Sequence, residues 1–202
     1  PNAEMERERA GALGFARDGQ RVAAEQNREF RGHYYSRSWT IAGNNAQLLS
    51  LSAQQETFAG GAHGNRAFHA LVWDRAANAP VRANDLLGSA LLDALKPRFC
   101  AALNAERTRR RGAPVEREER IVDAFVDCPE LGEVVLSPTS DEDNSGFERV
   151  MVLLPPYAVG SYAEGDYVID LPLQPADLAR IPERVRASFE PGRPLPPRPD
   201  DE

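Results

Sequence analysis

The sequence has no long apolar run and no excess of basic charge. None of its 202 residues lies in a stretch approaching the roughly 20 apolar residues that a membrane-spanning helix needs. Its 24 Lys and Arg against 31 Asp and Glu give a net charge of −7. A nucleic-acid ligand requires a positive surface. We therefore expect no transmembrane segment and no nucleic-acid partner. A mild acidic excess usually reflects solubility, although it would also attract a basic partner protein.

Motifs of common catalytic and metal-binding sites are missing as well. There is no G-x-S-x-G, H-E-x-x-H or P-loop pattern. The histidines are His33, His63 and His69. In an extended strand, His63 and His69 would lie roughly 20 Å apart, too far to share one ion. Spacing singles out no carboxylate pair for acid–base chemistry. We expect no metal, no cofactor and no catalytic constellation.

Cysteine is scarce, since the chain contains only Cys100 and Cys128. No C-x-x-C motif is present, so a redox-active pair is not expected. Two alternatives remain: buried free thiols, as in a cytosolic protein, or a structural disulfide. Cys100 ends an apolar helical patch and Cys128 lies in a short DCPEL turn, a suitable place for a cross-link. Closing the loop between them would contribute about 3.5 kcal/mol.

The periodicity of apolar residues predicts the order helix, three strands, helix, three strands, helix. Leu87, Leu91, Leu95 and Phe99 recur every four residues and mark one buried helical face. Pro97 lies within this helix and should end or bend it. The predicted helices cover residues 3–28, Leu86–Arg111 and 175–189. The predicted strands are His33–Ile41, Gln47–Phe58, Ala67–Asp74, Val134–Leu136, Arg149–Leu154 and Tyr167–Leu171.

This order favours an α+β fold with a mostly antiparallel sheet and helices packed on one face. The first two strands form a hairpin, and residues 42–45 (AGNN) tolerate positive φ in its turn. We predict a single domain over residues 1–190, whose N-terminal helix lies within residues 1–29. The tail 191–202 is proline-rich and charged, so we expect it to be disordered. A removed signal peptide is compatible with an N-terminus that lacks methionine.

The segment 60–65 (GGAHGN) is the first candidate site. Three glycines within five residues open backbone conformations that other residues rarely adopt. A histidine held there, His63, is able to bind a ligand or move protons. The alternative is a sharp crossover between strands, with the imidazole hydrogen-bonded to local backbone. The segment is not a phosphate loop, because no Lys-Ser/Thr and no helix follow it. We take His63 and Asn65 as candidate ligand-binding residues.

The loop 155–165 (PPYAVGSYAEG) is the second candidate site. It directly follows an apolar strand and places Tyr157 and Tyr162 beside glycines. This combination is common in recognition surfaces, because rigid rings provide contact area at a small entropic cost. Alternatively, both rings pack over the sheet edge and are anchored by their hydroxyls. The basic run Arg107–Arg111 is interpreted as a solvated helix end, where positive charge is favourable, in preference to a phosphate or nucleic-acid contact.

Together these motifs resemble one known family. The order GGAHGN, a strand ending in WDRA, NDLL, PPYAVGSYAEG, YVIDLP and a last helix is similar to the C-terminal domain of the anti-sigma factor RsiV and of the peptidoglycan deacetylase PdaC, over residues 30–190. The cysteine pair and RTRRRGAP resemble the stand-alone Gram-negative envelope proteins, often lipoproteins, that carry this domain. The resemblance implies an extracytoplasmic location, which supports a Cys100–Cys128 disulfide. It also implies a strand before the first helix.

The resemblance further implies binding without catalysis. The RsiV domain recognises lysozyme, and the catalytic site of PdaC belongs to a separate domain with no counterpart here. The implied partner is a basic envelope protein such as lysozyme, or a peptidoglycan fragment, and the implied location is the periplasm or outer envelope, secreted or lipid-anchored. Two other functions stay open: a hydrolase-like enzyme that uses His63 with an acidic neighbour, and a purely structural lipoprotein domain.

Overall fold

The computed structural model describes residues 2–115, 123–141 and 146–193. The helices are α1 (Asn2–Glu25), α2 (Ala83–Leu87), α3 (Ser89–Arg111), α4 (Pro175–Leu178) and α5 (Glu183–Arg186). The strands are β1 (Tyr34–Asn44), β2 (Leu48–Phe58), β3 (Asn65–Asp74), β4 (Ala79–Val81), β5 (Val135–Thr139), β6 (Arg149–Leu154) and β7 (Tyr167–Pro172). They form two antiparallel sheets, in the orders β1-β2-β3-β4 and β5-β6-β7. The predicted α+β fold is confirmed.

The chain divides into two compact units. The first comprises Pro1–Ser38 with Gln54–Ala67, and the second comprises Trp39–Ala53 with Phe68–Glu202. The single domain over residues 1–190 stays a prediction. So does disorder over 191–202, because residues 194–202 lie outside the described part of the chain.

The first unit contains the predicted N-terminal helix, α1. A glycine within a helix costs about 1 kcal/mol relative to alanine. At Gly19 of α1, the structure shows why a glycine is present. A Cβ atom there would lie 2.2 Å from Cε1 of His33. The imidazole therefore packs directly on the helix backbone, which only glycine permits.

The second unit holds the main hydrophobic core, built around α3. The predicted helical face is confirmed: Leu91, Leu95, Phe99 and Leu103 are all fully buried. This face packs against β7, whose inward residues Tyr167, Ile169 and Leu171 are also buried. The buried residues of α3 recur every fourth position and those of β7 every second position. Together they form one apolar layer between the helix and the sheet.

The prediction that Pro97 ends a helix is wrong. Helix α3 continues through Pro97, which lies on its exposed side. A proline inside a helix costs about 3 kcal/mol. Each fully buried Leu or Phe contributes roughly 1.5–3 kcal/mol, so the buried face on both sides of the proline outweighs that cost. The predicted start at Leu86 is wrong as well. Gly88, with a φ of 78°, ends the short helix α2, and α3 begins at Ser89.

Two other segments differ from expectation. The predicted last helix is two single turns, α4 and α5, separated by a segment that includes Pro182. Strand β4 pairs with β3 and was not predicted. It has only three residues, and its sequence, Ala-Pro-Val, carries little strand signal.

The hairpin of β1 and β2 is confirmed, but its turn lies later than the predicted residues 42–45, because β1 runs to Asn44 and β2 begins at Leu48. The turn does not use positive φ either. No residue of 42–45 has a positive φ. Instead, the Oδ1 atom of Asn45 accepts hydrogen bonds from the backbone N–H groups of Gln47 and Leu48, at 3.1 and 2.9 Å. An asparagine side chain thus supplies the acceptor that closes the turn.

Candidate functional site

The candidate loop between β6 and β7 opens with a tight turn. The N–H of Ala158 donates to the carbonyl oxygen of Pro155 at 3.1 Å. Tyr157 occupies the third position with a φ of 70°. A proline second and a positive φ third define a type II turn, which favours glycine or asparagine at that third position. A non-glycine residue held there costs of the order of 1–3 kcal/mol. This turn therefore holds a tyrosine at a conformational cost.

The turn brings the two predicted tyrosines together on the surface. Tyr157 is 52% exposed. The ring centroids of Tyr157 and Tyr162 lie 5.7 Å apart, with 36° between the ring planes. This tilted contact is in the range that stabilises aromatic pairs. Tyr162 is half-buried, so the pair has one exposed and one partly covered ring, and we call it the tyrosine pair.

Glu164 fixes the loop that carries the tyrosine pair. Its carboxylate accepts hydrogen bonds from the backbone N–H and the hydroxyl of Ser161, at 2.9 and 3.0 Å, and from the hydroxyl of Tyr167. It also forms an ion pair with Arg111 at 3.0 Å. A Cβ atom at Gly160 would lie 2.7 Å from the Oε2 atom of Glu164. A larger residue at this position would therefore displace the carboxylate from its hydrogen bonds.

The interpretation of the run Arg107–Arg111 as a solvated helix end is wrong for Arg107. Its side chain is fully buried, and burial, followed by the nearby charge of Arg111, lowers its pKa. All five guanidinium N–H groups are matched by oxygen acceptors. The acceptors are the carbonyl oxygens of Ala124, Val126, Asp127 and Val159 and the Oδ1 atom of Asn104, at 2.9–3.1 Å. One side chain therefore ties α3 to segment 124–127 and to the loop of the tyrosine pair.

Arg110 holds the other end of the same loop. It donates to the carbonyl oxygens of Glu164 and Asp166, at 2.5 and 2.6 Å, and it lies over the ring of Tyr167, 4.1 Å from the centroid. It also pairs with the buried carboxylate of Glu106. Sequence reasoning named the arginine run but did not predict that it holds this loop, and it did not single out Glu106 or Glu164. The available signal was the density of arginines at one helix end next to a loop rich in glycine and tyrosine.

The disulfide between Cys100 and Cys128 is present, with an S–S distance of 2.07 Å. It joins α3 to the end of segment 123–128. Three carbonyl oxygens of the same segment accept hydrogen bonds from Arg107. Segment 123–128 is therefore attached to α3 twice, by a covalent bond and by a buried guanidinium.

The charge state of Glu164 gives a testable pH dependence. Burial acts to raise its pKa, but the hydrogen bonds from Tyr167 and Ser161 and the ion pair with Arg111 outweigh it and hold the pKa at about 2. This is below the ordinary value of 4.5, so the unfolded chain takes up a proton first as the pH falls. The stability that Glu164 contributes is present above pH ~4.5 and is lost towards pH ~2.

We expect Glu164→Gln to flatten the acid limb of the stability profile between these pH values. The measurement is the urea midpoint from pH 6 to pH 2, for this variant and for Glu133→Gln as a control that changes an exposed carboxylate. Identical acid limbs for Glu164→Gln and the unchanged chain would contradict the assignment.

Tyr167 gives the opposite pH dependence. Burial and Glu164 raise the pKa of Tyr167 to about 12, so the stability that its neutral hydroxyl contributes is lost as the pH rises from about 10 to 12.

The glycine-rich segment 60–65 lies in the first unit. Gly60 and Gly61 have φ values of 86° and 98°, as three close glycines led us to expect. His63 is exposed, and its Nδ1 atom lies 2.9 Å from the carbonyl oxygen of Gly64. Asn65 is exposed and begins β3. A ligand-binding or catalytic role of His63 and Asn65 stays a prediction.

In residues 2–115, 123–141 and 146–193, no three His, Cys, Asp or Glu side chains are grouped as metal ligands would be. Within the same ranges, none of the helices combines the length and the apolar character that crossing a membrane demands.

No protein-family model and no curated protein matches the sequence. Solved structures do match. A DUF3298 family member from Bacteroides fragilis superposes with a TM-score of 0.58 at 15% identity, over 93% of this chain and 72% of that one. The chain has the fold of a DUF3298 family protein. A second DUF3298 family protein, from Pseudomonas aeruginosa, is 16% identical with a TM-score of 0.47, over 80% of this chain and 66% of that one.

Proposed function

We propose that the chain is a non-catalytic extracytoplasmic binding domain, of the kind found in RsiV and PdaC, and that the tyrosine pair is its recognition surface. The preferred partner is a basic envelope protein such as lysozyme, and a peptidoglycan fragment is the alternative. The observation that carries the proposal is Tyr157, which is exposed in a backbone conformation that favours glycine. A residue kept at a conformational cost on a surface loop is more readily explained by recognition than by folding.

The support beneath the tyrosine pair favours the same function. Arg107, Arg110 and Glu164 hold the loop at both ends through buried or half-buried hydrogen bonds. A loop fixed before binding loses little conformational entropy when a partner arrives. Tyrosine rings then add contact area and a hydroxyl at a small further cost.

Charge and compartment support the rest of the proposal. The net charge of −7 would steer a basic protein toward the domain, and salt would screen this attraction. Disulfides persist in oxidising compartments such as the bacterial periplasm, so the Cys100–Cys128 bond agrees with a periplasmic or outer-envelope location.

Replacing Tyr157 with glycine separates recognition from folding. Glycine adopts a positive φ without strain, so we expect Tyr157→Gly to leave the free energy of unfolding unchanged or to raise it by up to about 1 kcal/mol. We expect the same variant to weaken partner binding at least tenfold, as loss of an aromatic anchor does. If Tyr157 instead served folding, the variant would be destabilised, and binding would fall only as far as folding does.

The measurement is calorimetric titration of the oxidised protein with lysozyme, and separately with soluble peptidoglycan fragments, at about 150 mM salt. Ile41→Ser is the matched control, because it removes an apolar side chain that is 66% exposed on β1. Saturable binding that survives moderate salt and is lost in Tyr157→Gly and Tyr162→Ala, but not in the control, supports the proposal. Absence of binding to both ligands would contradict it.

A further inference from the structure

A cavity of about 480 Å³ lies within the first unit, between α1 and strands β1 and β2. Small-molecule sites typically occupy 300–1,000 Å³ and are lined mainly by apolar groups. The walls of this cavity are largely apolar and aromatic, from Ala12, Leu13, Phe15, Ala16, Tyr34 and Tyr35. Size and lining therefore fit one small apolar ligand.

The side chains that line this cavity are partly exposed to solvent. Leu13, Phe15, Tyr34 and Tyr35 are 40–57% exposed. Clustered exposed apolar groups of this kind mark interaction sites. The tyrosine hydroxyls are held by partners, since Tyr34 donates to the carboxylate of Glu56 and Tyr35 donates to the side-chain oxygen of Gln55. The rings that line the cavity are thus fixed by their polar ends.

His33 also lines the cavity. Its ring lies between Phe15 and Phe30, with centroids 4.9 and 5.0 Å away, and against the backbone of Gly19. Its Nδ1 atom is buried and has no hydrogen-bond partner among the described residues. A buried polar atom without a partner is destabilising, so the ring of His33 is held here at an energetic cost. His33 also lines a neighbouring cavity of about 810 Å³, whose wall includes Gly60 and Gly61.

Among the described residues that line the 480 Å³ cavity, Arg9 carries a guanidinium group. A guanidinium beside an apolar wall pairs well with a carboxylate or phosphate group. From these features we infer that the first unit binds a small amphiphile with an apolar chain and an anionic head group. The chain would lie against Leu13 and Phe15, and the head group would meet Arg9. This site belongs to the first unit and does not depend on the tyrosine pair of the second.

The test is calorimetric titration of the full chain with decanoate below its micellar concentration. We expect saturable binding that Arg9→Gln weakens about fivefold and Leu13→Ser about tenfold. Decanol, which lacks the charge, should be weakened by Leu13→Ser and unaffected by Arg9→Gln. Arg17→Gln on the same helix and Ile41→Ser on β1 are matched controls, since neither residue lines the cavity. Near-UV circular dichroism verifies that each variant is folded.

Two further measurements fix the site and the source of the ligand. Saturating decanoate should shift the ring resonances of His33 and leave those of His63 unchanged. Vesicles with phosphatidylglycerol should bind through the same Arg9 and Leu13 side chains if the natural ligand is a membrane lipid, and should not bind if it is a free fatty acid. The inference is overturned if decanoate does not saturate, or if the Leu13 and Arg9 variants bind as the unchanged chain does. Tyr157→Gly should leave decanoate binding intact, so the result is independent of the proposed partner-binding function.

Discussion

Replacing Arg107 with methionine is expected to lower the free energy of unfolding by about 4 kcal/mol, or to prevent folding. Methionine replaces the apolar part of the side chain as far as Nε but provides no donor. The buried carbonyl group of Val159 and three partly buried carbonyl groups of segment 124–127 would lose their hydrogen bonds. Urea unfolding followed by circular dichroism gives the free energy, and Arg107→Lys should recover only part of it because an ammonium group cannot reach five acceptors.

Arg109→Met is the matched control for this experiment. Arg109 lies on the same helix, is 45% exposed, and shares the carboxylate of Glu106 with Arg110. Its loss should cost less than about 1 kcal/mol, as for a surface ion pair. If Arg107→Met were as mild as Arg109→Met, the buried guanidinium would not be what joins α3 to the tyrosine-pair loop.

Removing the Cys100–Cys128 disulfide is expected to lower the free energy of unfolding by about 3.5 kcal/mol. The bond closes a loop across a sequence separation of 28, and its loss frees the unfolded chain. The comparison is between the oxidised protein, the same protein in reducing agent, and the double variant Cys100→Ser and Cys128→Ser. Reducing agent should have no effect on the double variant. A difference below about 1 kcal/mol between oxidised and reduced protein would contradict the expectation.

The two perturbations should also be coupled. Arg107 and the disulfide attach the same segment, 123–128, to α3. When either Arg107 or the disulfide is lost, segment 123–128 is less ordered, so the remaining attachment contributes less to stability. We therefore expect the combined loss to be smaller than the sum of the separate losses, because contacting groups in one network are not additive.

The spacing of apolar residues predicted most of the helices and strands, because an element that buries one face needs apolar residues at regular intervals. Leu91, Leu95 and Phe99 repeat every four residues, and the helix that buries them is α3. Strands β6 and β7 were also predicted, with bounds within one residue of those observed. Local patterns failed where a tertiary contact opposed them. Pro97 would end an isolated helix, but packing of the flanking apolar residues carries α3 through it.

The candidate site was predicted only in part. The tyrosines and glycines of loop 155–165 attracted attention because of their chemistry, and the structure brings Tyr157 and Tyr162 into contact. The positive φ of Tyr157 was not predictable, because tyrosine gives no sequence signal for that conformation. The cavity beside His33 was missed for another reason. Its lining comes from residues 9–16, 33–35 and 57, which no local motif connects.

The sequence by itself determined the α+β class, the hairpin, the apolar face of α3 and the residues on which recognition is proposed to rest. These follow from spacing and from side-chain chemistry, which are local properties. Tertiary structure alone decided what the arginine run does. A charged helix end is normally solvated, and Arg107 is buried only because Asn104, segment 124–127 and Val159 converge on it with five oxygen acceptors. That convergence depends on three segments meeting in space, and no short stretch of sequence encodes it.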